Sequence, residues 1–349
     1  MTDYNLADKV SAAANLTENA LVLGEDGVKG VKSGPLFAGK NFIVNGGALV
    51  NQRVTAHTLV KDTYGICSDR FYGMATGTAV SAGTLTQATA TALLGRTGCA
   101  FHFSGLTLTG TGIVYLRYRM EAKDAVKFIG QNASFSCKAY QDTGGAINYT
   151  VYVNKADAAD NFTAVTAISN DTAQSVVDST ETDVKYESIA MGACGNGIEI
   201  IIKIECGAIT TKNFYLTELQ FELGSVATVF EHRNYTEELA RCKRYFHRLI
   251  NGNAQIASSG VCQDANTAWM YCAFPVEMRA APSLAYSNLS HFALFDDAEQ
   301  ATMNTIAIAR SSPRSCMLSP TKTASLTAGN GVVFYSNNAS ATLDFLAEL

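Results

Sequence analysis

Catalysis needs a constellation of side chains, and this 349-residue chain offers few candidates for one. Its five histidines stand at 57, 102, 232, 247 and 291, and no pair has a metal-ligand spacing. His102, inside AFHF, reads as a strand residue satisfied by a neighbour. His247, among Lys and Arg, reads as part of a solvated helix face. Nine cysteines are scattered singly at 67, 99, 137, 194, 206, 242, 262, 272 and 316, with no C-x-x-C pair and an odd total. Several sit in apolar runs, so they are expected to be free buried thiols, with no disulfide and no zinc. Asp296 and Asp297 in LFDDAEQ could act as paired carboxylates, but an acidic turn accounts for them more cheaply. GACGNG (192–197) precedes a strand, whereas a phosphate-cradling loop follows a strand and opens a helix, so it reads as a turn. With no G-x-S-x-G element and no Walker-type Lys, no enzyme activity, cofactor or metal is expected. In TAWMYCAFPV, Trp269, Tyr271 and Ala273 share one face and Met270, Cys272 and Phe274 the other. Both faces are apolar or aromatic. Three readings follow: a central strand buried on both sides, a subunit interface, or an aromatic platform for a sugar.

The elements that would position these residues are mostly strands. From Asn41 to about Arg233 the chain is a succession of period-two runs separated by Gly, Asn and Asp turns. Val114, Leu116, Tyr118 and Met120 share one face, with Arg117 and Arg119 opposite. Ile147, Tyr149, Val151 and Val153 do the same, as do Ile198, Ile200, Ile202 and Ile204. In FYLTELQFEL the alternation places Tyr215, Thr217, Leu219, Phe221 and Leu223 on one side. A helix is expected next, over 234–250. Asn234 is a good N-cap and Glu237 has the capping-box spacing. Leu239, Cys242, Phe246 and Leu249 would form its apolar face, a helix–sheet or helix–helix contact. The passage from strand to helix reads as a linker-free hinge. Strands then resume and end in SATLDFLAEL, where Ala341, Leu343, Phe345, Ala347 and Leu349 alternate with polar residues. The expected fold is all-β: an antiparallel jelly-roll β-sandwich (40–233), a short linking helix (234–250) and a second small β domain (251–349). Residues 1–39, small and glycine-punctuated, read as an extended arm that orders only against a partner.

Composition narrows the function. Only 16% of residues are charged against 47% apolar, and Gly, Ala, Thr, Ser and Asn are abundant, a balance of β-rich extracellular or virion proteins. A formal charge of −5 gives no electrostatic reason for a nucleic-acid partner. No apolar run is long enough to span a bilayer, so no membrane insertion is expected.

Particular segments resemble a known family. KNFIVNGGALVNQR (40–53) and YGICSDRF (64–71) resemble the opening of the β-sandwich of bacteriophage tail-fibre and minor virion structural proteins. SFSCKAYQDTGGAINYTVYVNKADAADNF looks like its middle strands. The most specific mark is LTELQFELGSVATVFEHRNYTEELARCKRYF, similar to the closing motif of that module. Phe71 stands where many members carry Trp. The resemblance implies a carbohydrate-binding-like jelly roll in a virion protein of a tailed bacteriophage, assembled in the host cytoplasm. It also implies a homotrimeric tail or appendage fibre that contributes to host attachment. Its partners would be other virion proteins, through the arm, and a host surface glycan. A capsid-surface fibre or decoration protein is the alternative, and a polysaccharide-degrading tailspike enzyme the weaker one. Trp269, Tyr271, Leu239 and Phe246 are the expected ligand or interface residues.

Overall fold

The computed structural model describes residues 21–24, 31–34, 39–53, 56–66, 68–89, 98–296, 300–323 and 326–349. Most of the expected N-terminal arm, and Cys67 and Asp297, lie outside the described residues. What is described before Gly39 is a short ribbon, Leu21–Gly24 paired antiparallel with Val31–Gly34.

Alternation builds two facing sheets. One has seven strands, in the order Asn161–Asn170, Ile147–Ala158, Ile198–Glu205, Ile113–Met120, Phe71–Thr76, Gly65–Ile66, with Gln174–Val176 also paired to Ile147–Ala158. The other has six: Thr182–Ala190, Asn132–Gln141, Ile209–Leu223, Cys99–Thr109, Ala79–Thr89, His57–Thr58. Every second side chain of the central strands enters the core between them, including Val114, Leu116, Tyr149, Val151, Ile200 and Ile202. This is the antiparallel jelly-roll sandwich. Arg119 and Glu199, on the outward side, neutralise each other at 3.0 Å.

The strand Ile209–Leu223 departs from simple alternation. Between Thr217 and Gln220 its ladder to Asn132–Gln141 gains an extra residue, and Glu218 takes a left-handed φ of 53°. Phe214 and Leu216 therefore face the core before the bulge, and Leu219 and Phe221 after it, while Tyr215 and Thr217 take the opposite side, where Tyr215 is half-buried and Thr217 is covered, its Oγ1 donating to the Cys99 carbonyl at 2.7 Å. The expected face of Tyr215, Thr217, Leu219, Phe221 and Leu223 does not exist, because one extra residue inverts the phase. Beyond the bulge the strand pairs with the segment 41–46: Phe42 N donates to Phe221 O at 2.9 Å and Leu219 N to Gly46 O at 2.9 Å. A Cβ at Gly46 would stand 2.0 Å from the Leu219 carbonyl oxygen, which is why the NGG turn carries glycine there.

The helix α1 spans Tyr235–Lys243 and begins as expected, with Asn234 Oδ1 accepting the Glu237 N–H at 2.9 Å. It ends a turn and more before residue 250. Phe246 and His247 lie in the strand Phe246–Asn251, paired with Thr342–Leu346. Phe246 is buried beneath the Arg53 guanidinium, 3.6 Å from the ring centroid. His247, expected on a solvated face, is buried near Phe345, and burial pushes its pKa down to about 4. Leu239 and Cys242 pack on Val44 and Val50 of the opening loop. Residues 224–234 separate strand from helix and are pinned to the sandwich: Glu231 accepts the N–H of Gly39 and Asn41, and Gln220 donates to Thr228 O. The passage is therefore not linker-free.

The C-terminal part folds as an eight-stranded sheet with a three-stranded sheet of Phe246–Asn251, Thr342–Leu346 and Ser283–Tyr286. Met270, Phe292, Leu294, Phe334, Leu343 and Phe345 fill the core of this region. The segment after Thr342–Leu346 lies against the sandwich. Glu348 bridges Arg53 at 3.1 Å and Arg70 at 2.9 Å, and Arg53 also reaches Asp69 at 3.3 Å. Arg70 stacks over Tyr245 at 3.5 Å, and Arg244 grips Glu121 with two bonds of 2.9 Å. Arg279 donates to the carbonyls of Ala347 and Glu348. Arginine suits such a seam because its planar fork satisfies several acceptors at once.

Candidate functional site

Tyr215 sits at the centre of the outer face of the six-stranded sheet. The pairing register puts it opposite His102 on one side and Tyr140 on the other. The His102 and Tyr215 rings stack at 4.0 Å and 10°, and Tyr140 meets Tyr215 edge-on at 5.8 Å. The three rings are half-buried and form one row across adjacent strands.

A polar frame fixes the row. Asp142 accepts from the backbone and the side-chain amide of Asn213, both at 2.7 Å. That orients the Asn213 Oδ1 toward His102 Nε2 at 3.3 Å and toward the Gly105 N–H at 3.1 Å. Burial lowers the His102 pKa against the opposing effect of Asn213. A neutral ring with its proton on Nε2, facing Asn213, satisfies that geometry and leaves Nδ1 as an acceptor.

Two residues along the same strands, Lys138 stands opposite Thr217 and Asp183. Its Nζ lies 2.5 Å from Glu181 and 3.0 Å from Asp183. Burial pulls the ammonium down, but these two carboxylates outweigh it and hold the pKa above its ordinary value. Beyond lies an open cavity of about 290 Å³ between Lys138, Asp183 and Lys185 and the segment 227–230, where Phe230 meets His232 edge-on at 5.0 Å. With the His102 and Tyr215 faces stacked on each other, the row offers half-buried aromatic surface bordered by carboxylates, an ammonium and amides, which suits a ligand with apolar C–H groups and many hydroxyls. Among the described residues no group of three or more His, Cys, Asp or Glu is placed to hold a metal.

The residues singled out from sequence lie elsewhere and apart. Leu239 and Phe246 are at the seam. Trp269 and Tyr271 are on the open face of the eight-stranded sheet, 41% and 69% exposed, so the strand Ala268–Ala273 is not buried on both sides. Met270 and Cys272 supply its buried side. The sequence carries a signal for Tyr215, the FYLTELQ alternation, but the bulge at Glu218 hides it by placing Tyr215 and Leu219 in apparent phase. Cys137, Cys194, Cys206, Cys242, Cys272 and Cys316 are buried thiols outside any disulfide. Burial raises the Cys206 pKa to about 12.

No protein-family model matches the sequence, and no curated protein matches it. Solved structures similar to the chain include a carbohydrate-binding module of the β-sandwich superfamily, at 11% identity and TM-score 0.33, over 44% of this chain and 57% of that one. A family 22 carbohydrate-binding module of Clostridium thermocellum Xyn10B aligns at 13% identity and TM-score 0.32, over 45% of this chain and 88% of that one. The enzymatically active domain of tailspike protein 4 of bacteriophage CBA120 aligns at 13% identity and TM-score 0.33, over 53% of this chain and 22% of that one. The chain thus spans just over half the length of the first of these and less than a quarter of the tailspike domain.

Proposed function

We propose that the protein is a non-catalytic structural component of a tailed-bacteriophage particle, an appendage fibre that contributes to host attachment by holding a surface glycan. The observation that carries the glycan reading is the Tyr140, Tyr215 and His102 row with its polar frame on the outer face of the six-stranded sheet. Sugar rings present flat C–H faces to aromatic rings and hydroxyls to the polar groups alongside. The particle reading is supported by the resemblance of KNFIVNGGALVNQR and of the 216–246 run to phage virion proteins. In the fold these segments are the paired 41–46 turn, the bulged strand and the capped helix, which contact one another.

Calorimetric titration with the surface polysaccharide of a sensitive host tests the ligand. Tyr215→Ala and Tyr140→Ala should each weaken binding about tenfold, ~1.4 kcal/mol, whereas Trp269→Ala should bind as the parent does. Full-strength binding by both sheet variants would overturn the reading. Imaging of antibody-labelled particles tests the location. Label on the tail is expected, and label on the head would make the protein a capsid-surface fibre.

A further inference from the structure

We propose that Lys322 and Asp296 become joined, side chain to side chain, in an amide bond that crosslinks the eight-stranded sheet. Lys322 closes the short edge strand Thr321–Lys322, opposite Met303. Asp296 follows the strand Phe292–Phe295 directly. The strand Gln300–Thr305 runs between those two, so the two side chains meet across it.

Their placement is costly for a plain ion pair. The side chains are 1% and 3% exposed, and Lys322 Nζ lies 3.8 Å from Asp296 Oδ1, beyond hydrogen-bond reach. Asp296 Oδ2 is buried with no hydrogen-bond partner among the described residues. That carboxylate oxygen has therefore given up water without the bonded contact that makes a buried pair tolerable. A neutral amide removes both charges. The same burial brings an amine and a carboxyl carbon close together in a site that excludes water, the conditions that raise effective concentration and disfavour the reverse hydrolysis.

The atoms balance without another reactant. One ammonium proton passes to the carboxylate, and the freed nitrogen lone pair attacks Cγ. The bond from Cγ to one oxygen then breaks. That oxygen leaves as water with two of the three ammonium protons, and the third remains on the amide nitrogen. The flexible Lys322 stem supplies the approach. The product closes residues 296–322 into a covalent loop, tying an edge strand to the interior of its sheet and restricting the unfolded chain.

Intact mass of the denatured full-length protein, followed by peptide mapping, tests this. The expected result is a deficit of one water relative to the sequence and a branched peptide joining Lys322 to Asp296. Lys322→Arg should restore the full mass, allowing for the substituted side chain. A parent protein at full mass overturns the proposal. So does a water deficit that survives in Lys322→Arg, which would mark a ring closed at an aspartate. If Lys322→Arg does not fold, the branched peptide in the parent decides by its presence or absence.

Discussion

Asp69 and His247, both buried near the seam, pull on stability in opposite senses as pH changes. Burial raises the Asp69 pKa to about 6, with Arg53 and Gln52 only partly opposing it. Its contribution is fully present below the unfolded value near 3.8 and is lost as pH rises through about 6. Burial lowers His247 from 6.5 to about 4, so its contribution is present above 6.5 and is lost as pH falls through about 4. At about 1.4 kcal/mol for each tenfold in proton affinity, the two are similar in size and largely cancel. Urea unfolding between these limits should show the cancellation removed by mutation. Asp69→Asn should lose stability as pH falls, and His247→Gln should gain it. Slopes of the same sign in the two variants would contradict the assignment. Neither group was legible in the sequence: Asp69 is one acid in a turn, and His247 sits among cations. Only the folding of 246–251 as a strand against Thr342–Leu346 takes the His247 ring out of water. His102 was legible as a strand residue satisfied by a neighbour, now identified as Asn213.

Elements repeat the lesson at a larger scale. The strands Ile113–Met120 and Ile198–Glu205 could be read from their alternation because one face of each is core along its whole length. The Ile209–Leu223 strand could not, because the bulge at Glu218 inserts a residue that periodicity cannot announce. The start of α1 was legible from its cap, and its end was not. Phe246 lies four residues after Cys242, the spacing of a continuing helical face, and a second bulge between Arg248 and Ile250 blurs the strand period. Phe246 is nevertheless a core residue. Phe246→Ala should destabilise by about 3–5 kcal/mol, because it empties a packed site and uncovers the Arg53 guanidinium above it. As the ring faces the seam, the variant should keep the parent's mass in light scattering while its melting temperature falls. An unchanged melting temperature would show that the ring does not bear on the fold. The cysteines belong here too: Cys137, Cys272 and Cys316 lie in strands, Cys242 in α1, and Cys194 and Cys206 in the connections around the strand Ile198–Glu205. Alkylation should reach those that are buried only after denaturation, because burial both hides the thiol and raises the pKa of groups such as Cys137 and Cys206.

For the whole molecule, the seam around Glu348 decides whether the sandwich and the C-terminal sheets behave as one body. Glu348 neutralises Arg70, which is itself fully buried, and shares Arg53 with Asp69. Glu348→Ala would leave Arg70 uncompensated, a loss of about 3–5 kcal/mol by the usual cost of breaking a buried pair. Calorimetry of the parent should give one transition and that of the variant two, the C-terminal sheets melting first. A single transition in both would show that the seam does not couple them. The central claim, that the outer face of the six-stranded sheet holds a glycan, is tested most directly by hydroxyl-radical footprinting with and without the host polysaccharide. Protection should appear at Tyr215, Tyr140 and His102, while Trp269 and Tyr271 stay reactive. Protection confined to Trp269 and Tyr271, or none at all, would contradict the account.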